Sequence, residues 1–338
     1  MRKAFNGLCE QLSVPMMVEP LNAPRPVVSI IILNHNGFSQ NREAFLKAIN
    51  SALEADMPSK VKEVILVDNG SSDGGLEYVK AHFSGRLKIV SLNSNLGHAA
   101  GMNAGVRACS ENSAYLVLAN NDVLYGVNTI SSLVDYLDNN QDVAVCGCLE
   151  VFPWRRVNFC GSYFDLELFN VAPRCGSEPF PITTVENLIV VRREVFEELH
   201  GFDEGLLNVF DEQEFCLRVW MSGRRVVCLP GVSFVHNHVL PIKETPARWA
   251  LDLKNKYITI LKLYSMRGVI SQLCPRIVKD LYKSLTDKKW RENDMFIRIV
   301  RVLIELILSP SYFKTRTAFS TVRKYNEIDL CGLGIMKR

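Results

Sequence analysis

From Val27 to Leu33 the chain reads VVSIIIL, a nearly continuous run of β-branched and aliphatic residues of the kind found in strands covered on both faces. The polar loop NHNGFSQN follows, and then Ala44, Phe45, Ala48, Ile49 and Ala52 recur at helical spacing, which predicts a helix over 42–54. VKEVILV (61–67) is a second buried strand that stops at DNGSSDGG. The cycle continues with a helix near 75–82, a strand at 87–92, a helix across 98–109, a strand at 114–119, a helix at 127–138 and a strand at 142–147. Strand and helix alternating through short loops predict an α/β fold, a mostly parallel sheet with helices on both faces.

Beyond residue 150 the periodicity loosens through VFPWRRVNFCG and VAPRCGSEPFP, which read as long loops around a site. A regular pattern returns afterwards. ENLIVVRREVFEEL (186–199) predicts strand into helix, DEQEFCLRVWMSG (211–223) a helix closed by Gly223, and RRVVCLP and VSFVHNH two strands. Residues 245–264 and 268–325 read as mainly helical, with basic residues between apolar positions.

Composition narrows this picture only slightly. With 338 residues, 48% hydrophobic and 22% charged, the chain is an ordinary globular protein, long enough for an enzyme. Its net charge of +3 conceals an asymmetry: residues 265–338 hold 15 Lys/Arg against 7 Asp/Glu, a local +8, which leaves residues 1–264 at −5. Ten cysteines at irregular positions read as reduced, buried thiols of a cytosolic protein. A zinc site from Cys146, Cys148, Cys160 and Cys175 is disfavoured, since its spacing matches no usual ligand pattern. Residues 1–24 lack the apolar core of a signal peptide, and the run 297–308 is too short and too charged to span a bilayer. The expected location is cytoplasmic, with peripheral contact to the cytoplasmic membrane face as the variant.

In an open α/β sheet ligands bind beyond the carboxyl ends of the strands. The loops after residues 33, 67, 92 and 119 read LNHNG, VDNGSSDGG, NSNLGHAAGMN and ANNDV, all polar and rich in small residues. The absence of GxGxxG after the first strand argues against a dinucleotide-binding oxidoreductase. Asp68, ending its strand, suits hydrogen bonds to a base edge or a ribose hydroxyl, whereas Asp73 suits a helix cap. Asp122 suits a divalent cation on a diphosphate and, equally, an Asx-turn. Asp211, Glu212 and Glu214 lie in one helical turn, where carboxylates complement the helix dipole or, held rigidly, act as a general base. His236 and His238 share a strand face; such a pair is commonly structural, and neutral imidazole is also a ligand for manganese-like ions.

Taken in order, VSIIILNHNG, ILVDNGSSDGG, NSNLGHAAGMNAG, LVLANNDV, ENLIVVRREVFEELHGFDE, FDEQEFCLRVWMSGRRV and LPGVSFVHNH resemble the inverting glycosyltransferases of family 2, with their glycosyltransferase A-type, Rossmann-like fold, and especially the rhamnosyltransferase-like branch. The likeness runs from Pro26 to His238. It implies that Asn34 and Asn36 lie in the first nucleotide loop, that Asp68 contacts the base, and that Asn95, Gly97 and Asn103 line the nucleotide and sugar pocket. Asn120, Asn121 and Asp122 occupy the place of the family's Asp-x-Asp motif, whose last carboxylate holds Mg2+ or Mn2+, joined by His236. Glu212 stands where the family usually has a catalytic Asp, with Asp211 beside it, and Arg192 and Arg193 fall near the acceptor side. Glu in place of Asp moves the carboxylate outward by ~1 Å, enough to matter for rate.

The resemblance implies a sugar nucleotide donor and a glycan or lipid-linked acceptor, with no nucleic-acid partner. It divides the chain into a lead-in (1–25), a catalytic domain (26–242, nucleotide part 26–147 and acceptor part 148–242) and a basic helical extension (243–338). That extension suits either an anionic membrane surface or packing on the catalytic core or another subunit. Two rival readings remain: a sugar-phosphate nucleotidyltransferase, whose cationic loop is missing after the first strand, and a non-catalytic binding protein of the same fold.

Overall fold

The computed structural model describes residues 27–58, 60–152, 159–171, 176–237, 245–308 and 319–337. His238, Cys175 and the lead-in lie outside the described residues. Strands β1 (Val27–Asn34), β2 (Val61–Asn69), β3 (Lys88–Leu92), β4 (Ser113–Asn120) and β6 (Val143–Val151) form where the apolar runs predicted them; β5 (Val123–Tyr125) was too short to predict. β7 (Tyr163–Asp165), β8 (Asn170–Val171) and β9 (Phe180–Pro181) are short pieces within the region read as loops. β10 (Leu188–Arg192), β11 (Arg225–His236) and β12 (Met336–Lys337) complete the set.

The main sheet runs β3-β2-β1-β4-β10-β6-β11-β5, with β9 on β11. It is mostly parallel, as expected, but β10 runs antiparallel to both β4 and β6. That direction puts Leu188 opposite Ala119 at the ligand end of the sheet, and Arg192 opposite Tyr115 at the other. The two strands read from RRVVCLP and VSFVHNH are one, whose register against β6 shifts between Leu229 and Ser233 around Pro230 and Gly231.

Side chains alternate across each strand. Ile30 and Ile32 pack with Phe45 and Ile49 of α1 (Gly37–Glu54), while α2 is Gly75–His82. Ile31 and Leu33 face Ala99 and Met102 of α3 (His98–Arg107). α4 (Thr129–Asn139) joins the first face through Ile130 and Leu133. After β10 come α5 (Arg193–Glu198) and then α6 (Asp211–Met221), whose Phe215 and Leu217 anchor it in the second core. α7 (Pro246–Leu263) and helices Cys274–Thr286 and Met295–Leu308 follow.

The last described residues pack back on earlier elements. β12 pairs parallel with β7, the backbone amides of Lys324 and Tyr325 donate to the Met221 carbonyl, and Thr183 donates to the Ile335 carbonyl. Among the described residues no helix is long and apolar enough to cross a membrane. Cys160 is disulfide-bonded, to a partner outside the described residues, whereas Cys146, Cys148, Cys216 and Cys228 are free and buried. The expectation of ten reduced thiols therefore fails at Cys160, and with it the redox argument for a cytosolic setting.

Candidate active site

Asn34, buried at the end of β1, organises the first loop: its Nδ2 donates to Asp68 Oδ1 (3.3 Å) and Ser71 Oγ (3.2 Å), and its Oδ1 accepts from Gly37 N (3.1 Å) and Asn121 Nδ2 (2.7 Å). A Cβ on Gly37 would fall 2.2 Å from Asn121 Nδ2 and 2.5 Å from Asn34 Oδ1, so this packing requires glycine. Asn36 takes the left-handed conformation (φ 55°), donates its N–H to Ser71 Oγ and accepts from Ser72 N. Asp68 is buried and also accepts from Ser71 N at 3.3 Å. Asp73 precedes Gly74, the residue at the N-cap of α2, and accepts from Gly75 N two residues on and from Ser39 N in α1.

In the third loop Asn95 Oδ1 accepts from Gly97 N and from Asn69 Nδ2. Gly97, at φ 90°, lies against Leu207 and Asn208, whose oxygens would be 3.1 Å from a Cβ there. Asn103 points to the loop before α6: its Nδ2 donates to Phe202 O and Glu204 Oε1, and its Oδ1 accepts from Phe202 N. Its amide is thus committed to holding that loop on α3.

The centre of the crevice is a chain of polar groups. His236 Nδ1 lies 2.5 Å from Glu150 Oε1, and its Nε2 lies 3.2 Å from Asp122 Oδ1. Burial pulls the imidazole's pKa down, but the bonds and charges of Asp122 and Glu150 outweigh it and raise it to about 10. Asn187, left-handed at φ 66°, is the hub: its Nδ2 donates to Glu150 Oε1 (3.1 Å), its Oδ1 accepts from Asn120 Nδ2 (3.0 Å), and its N–H donates to Glu212 Oε1 (3.0 Å). Asn41, where α1 breaks from helical geometry, donates to the Asn237 carbonyl next to His236.

Glu212 and Asp211 open α6 behind Phe210, itself left-handed at φ 70°. Burial raises the Glu212 carboxyl to about 8; the His98 charge opposes this and the Asp211 and Glu186 charges add to it. Asp211 is bonded to His98 Nδ1 at 2.5 Å. Burial lowers the His98 pKa, but the Asp211 carboxylate, with Glu212 behind it, raises it to about 9. At neutral pH the pair is therefore an imidazolium on Asp211 beside a Glu212 that is readily protonated.

Among the described residues no three His, Cys, Asp or Glu side chains cluster closely enough to form a metal cage. Asp122 and His236 are a two-donor arrangement, one hard oxygen and one imidazole whose other nitrogen is anchored by a carboxylate. That donor set fits Mg2+ or Mn2+, which bind through one or two carboxylates and complete their shell with phosphates and water, provided His236 gives up its proton.

Asn34, Asn36, Asp68, Asn95, Gly97 and Asn121 thus lie together in the strand-end loops, Asn120 and Glu212 bond to Asn187, and Asp122 and His236 reach it through Glu150. Arg192 and Arg193 do not come near them. Antiparallel β10 carries Arg192 to the opposite edge, where it donates to the carbonyls of Val143 and Leu137, and Arg193 donates to that of Ser110. His98, Glu150 and Asn187 were not singled out from the sequence. His98 lay within a quoted motif without a role, Glu150 lay three residues past the predicted end of its strand, and Asn187 showed only as a polar residue before an apolar run.

The mostly parallel, helix-flanked sheet with this crevice at its strand ends is the glycosyltransferase A-type fold. GalNAc-T7, solved with UDP, GalNAc and Mn2+, superposes with a TM-score of 0.59 at 17% identity over 77% of this chain and 50% of its own. S. aureus TarS 1-349 superposes with a TM-score of 0.55 at 16% identity over 91% of both chains. Residues 29–199, half of the chain, match the model of glycosyl transferase family 2, and the chain belongs to that family. It is 26% identical over 261 residues to N-acetylgalactosaminyltransferase 6 of Drosophila melanogaster, matching 70% of this chain and 38% of that protein. It is 22% identical over 253 residues to an N-acetylglucosaminyl-diphospho-decaprenol L-rhamnosyltransferase of Mycobacterium tuberculosis, matching 66% of this chain and 80% of that protein. The chain spans about two fifths of the length of the N-acetylgalactosaminyltransferases it matches.

Proposed function

We propose that this protein transfers a sugar, L-rhamnose or a hexose, from a nucleoside diphosphate sugar to a hydroxyl of a glycan or lipid-linked glycan, with inversion and with Mg2+ or Mn2+. The observation that carries this reading is the convergence on Asn187 of the expected base, Glu212, and, through Glu150, of the expected metal pair, Asp122 and His236. The diphospho-decaprenol acceptor named for the Mycobacterium relative supports the lipid-linked variant.

Asn34, Asn36 and Asp68 hold the nucleotide, the neutral amides by hydrogen bonds and Asp68 by accepting from the base or ribose. Asn95 and Gly97 shape the third loop beside it. The cation, when bound, neutralises charge on the leaving diphosphate. Glu212 Oε takes the proton from the acceptor hydroxyl as that oxygen bonds to the anomeric carbon. The bond from that carbon to the diphosphate oxygen breaks on the opposite face, and its electron pair leaves with the nucleotide. Asp211 is held by His98 and acts on Glu212 as a neighbouring charge. Residues 26–147 then serve the donor and 148–242 the acceptor.

The test is a panel of nucleoside diphosphate sugars assayed for nucleotide release and transfer, with Mg2+, Mn2+ or chelator. Metal-dependent release by the native chain and its loss in Glu212→Gln, with donor binding retained, is the expected result. Formation of nucleoside triphosphate and sugar 1-phosphate on addition of pyrophosphate, with no nucleoside diphosphate released, would favour the nucleotidyltransferase reading, and full transfer by Glu212→Gln would remove Glu212 as the base.

A further inference from the structure

Between α7 and helix Cys274–Thr286 lies a cleft of about 400 Å³, within the size range of small-molecule sites. One wall is a single face of α7, carrying Trp249, Asp252 and Lys256; the other is a single face of the second helix, carrying Arg276, Lys279 and Lys283. Phe169 and Trp290 add two more rings. The three rings are only partly buried.

A cation lies over each ring: Arg276 is 3.7 Å from the Phe169 centroid, Lys283 4.4 Å from that of Trp290, and Lys289 4.4 Å from that of Trp249. The cleft is net positive, yet the charges are not equivalent. Arg276 is buried and bonded to Asp280 at 2.7 Å, and Lys256 to Asp252 at 2.8 Å. Lys279 reaches outward to Glu167 at 3.1 Å. Lys283 has no carboxylate partner among the described residues. The arrangement combines flat apolar faces with an uncompensated ammonium.

The cleft also adjoins the catalytic helix. Lys256 sits 5.6 Å from the centroid of Phe210, the residue before Asp211, and its neighbour Asn255 donates to the carbonyls of Leu206 and Val209 in the same loop. α7 therefore forms a wall of the cleft and clamps the segment that positions Glu212.

We infer that this cleft is a subsite for an anionic oligosaccharide, the part of the acceptor that lies beyond the attacked hydroxyl. Sugar rings stack their apolar faces on Trp249 and Trp290 as the exposed Lys289 and Lys283 turn off those rings, and a phosphate or uronate group pairs with the freed Lys283, a point charge suited to either anion. Its description as an acceptor subsite rests on the transferase reading, but the binding itself does not.

Trp249 and Trp290 report on the cleft, since Trp220 is buried elsewhere, in the core, and Trp154, which lies outside the described residues, is replaced by Trp154→Phe in the titrated protein. The full chain is titrated by tryptophan fluorescence with maltohexaose carrying a terminal phosphate, an oligogalacturonate of the same length, neutral maltohexaose, and inorganic phosphate. An anionic oligosaccharide should half-saturate at a concentration about tenfold or more below the neutral one, with a salt-sensitive midpoint. Whichever anion binds more tightly identifies the source. Lys283→Ala, an exposed position, should raise that midpoint about tenfold, while metal-dependent donor hydrolysis by water stays unchanged. Glu212→Gln should bind the oligosaccharide like the native chain, so failure of the transferase reading remains distinguishable. Equal affinity for neutral and charged sugars, an unchanged midpoint in Lys283→Ala, phosphate alone matching the sugar, or no binding at all would overturn the inference.

Discussion

The two sides of the strand-end crevice are made of different materials. On the side proposed for the nucleotide, Asn34, Asn36, Asn121 and Ser71 bond around one buried carboxylate, Asp68, and Asn69 bonds Asn95 in the next loop. On the other side four carboxylates, Asp122, Glu150, Asp211 and Glu212, surround two imidazoles, His98 and His236, and both imidazoles and Glu212 are shifted well away from their usual ranges. Neutral amides fix shape without responding to pH, whereas buried, coupled ionisable groups store and move protons. Under the proposed function, the contrast fits binding on one side and chemistry on the other.

The largest expected effect tests that assignment on the proton-active side. Glu212→Gln preserves the acceptor for the Asn187 N–H but removes the proposed base, so kcat should fall by about 10³-fold or more, within or beyond the range for general-base catalysis. Donor Kd, measured by calorimetry, should change by less than about threefold. A matching loss of donor affinity would place Glu212 on the binding side instead. Asp122→Ala should come next, with a Mn2+ requirement raised by about 10- to 100-fold and transfer lost at ordinary metal concentrations, read from metal titrations of the initial rate.

The pH profile separates the sides next. Glu212 must be ionised to accept a proton, and its raised pKa means that kcat/KM should climb with pH and level off above about 8. The positive charge on His98 lowers the Glu212 pKa, so His98→Gln should move this limb to higher pH and reduce the rate at pH 7 by about threefold to tenfold. Both groups bind protons more tightly folded than unfolded. Their contribution to stability is complete below the ordinary values of 4.5 and 6.5 and is lost as pH rises through about 8 for Glu212 and about 9 for His98. The Tm of the native chain should therefore fall between pH 6 and 9 more steeply than that of His98→Gln.

The two sides were not equally legible beforehand. The nucleotide side sits at the ends of β1, β2 and β4, strands covered on both faces whose apolar runs end sharply in polar loops, so its residues could be placed by counting. The proton-active side is assembled from distant segments through backbone geometry that hydrophobic patterning does not encode. The antiparallel direction of β10 puts Asn187, not Arg192, at the crevice, and its left-handed φ of 66° lets one residue serve Asn120, Glu150 and Glu212. β6 continues past the predicted 147 to Val151, which brings Glu150 under His236. Strands of two or three residues, such as β5 and β8, are too short for alternation to register.

The smallest expected effect falls on the boundary between the sides. Asn120 ends β4 on the nucleotide side, yet its Nδ2 donates to Asn187 Oδ1, and Asn187 in turn holds Glu212. If Asn120 serves the donor, Asn120→Ala should raise donor KM about fivefold, with kcat within about threefold and the pH limb unmoved, because one neutral hydrogen bond is worth about 1 kcal/mol. If its main effect is to steady Asn187, the same substitution should shift the limb and lower kcat while leaving donor Kd intact. Asn34→Ala provides the reference: its amide is buried among Asp68, Ser71, Gly37 and Asn121, with no bond to the Asn187 hub, so it should weaken donor binding and leave the pH profile alone. Profiles of the two variants that coincide would keep the boundary at Asn187; a shift in Asn120→Ala alone would move it one residue closer to the nucleotide.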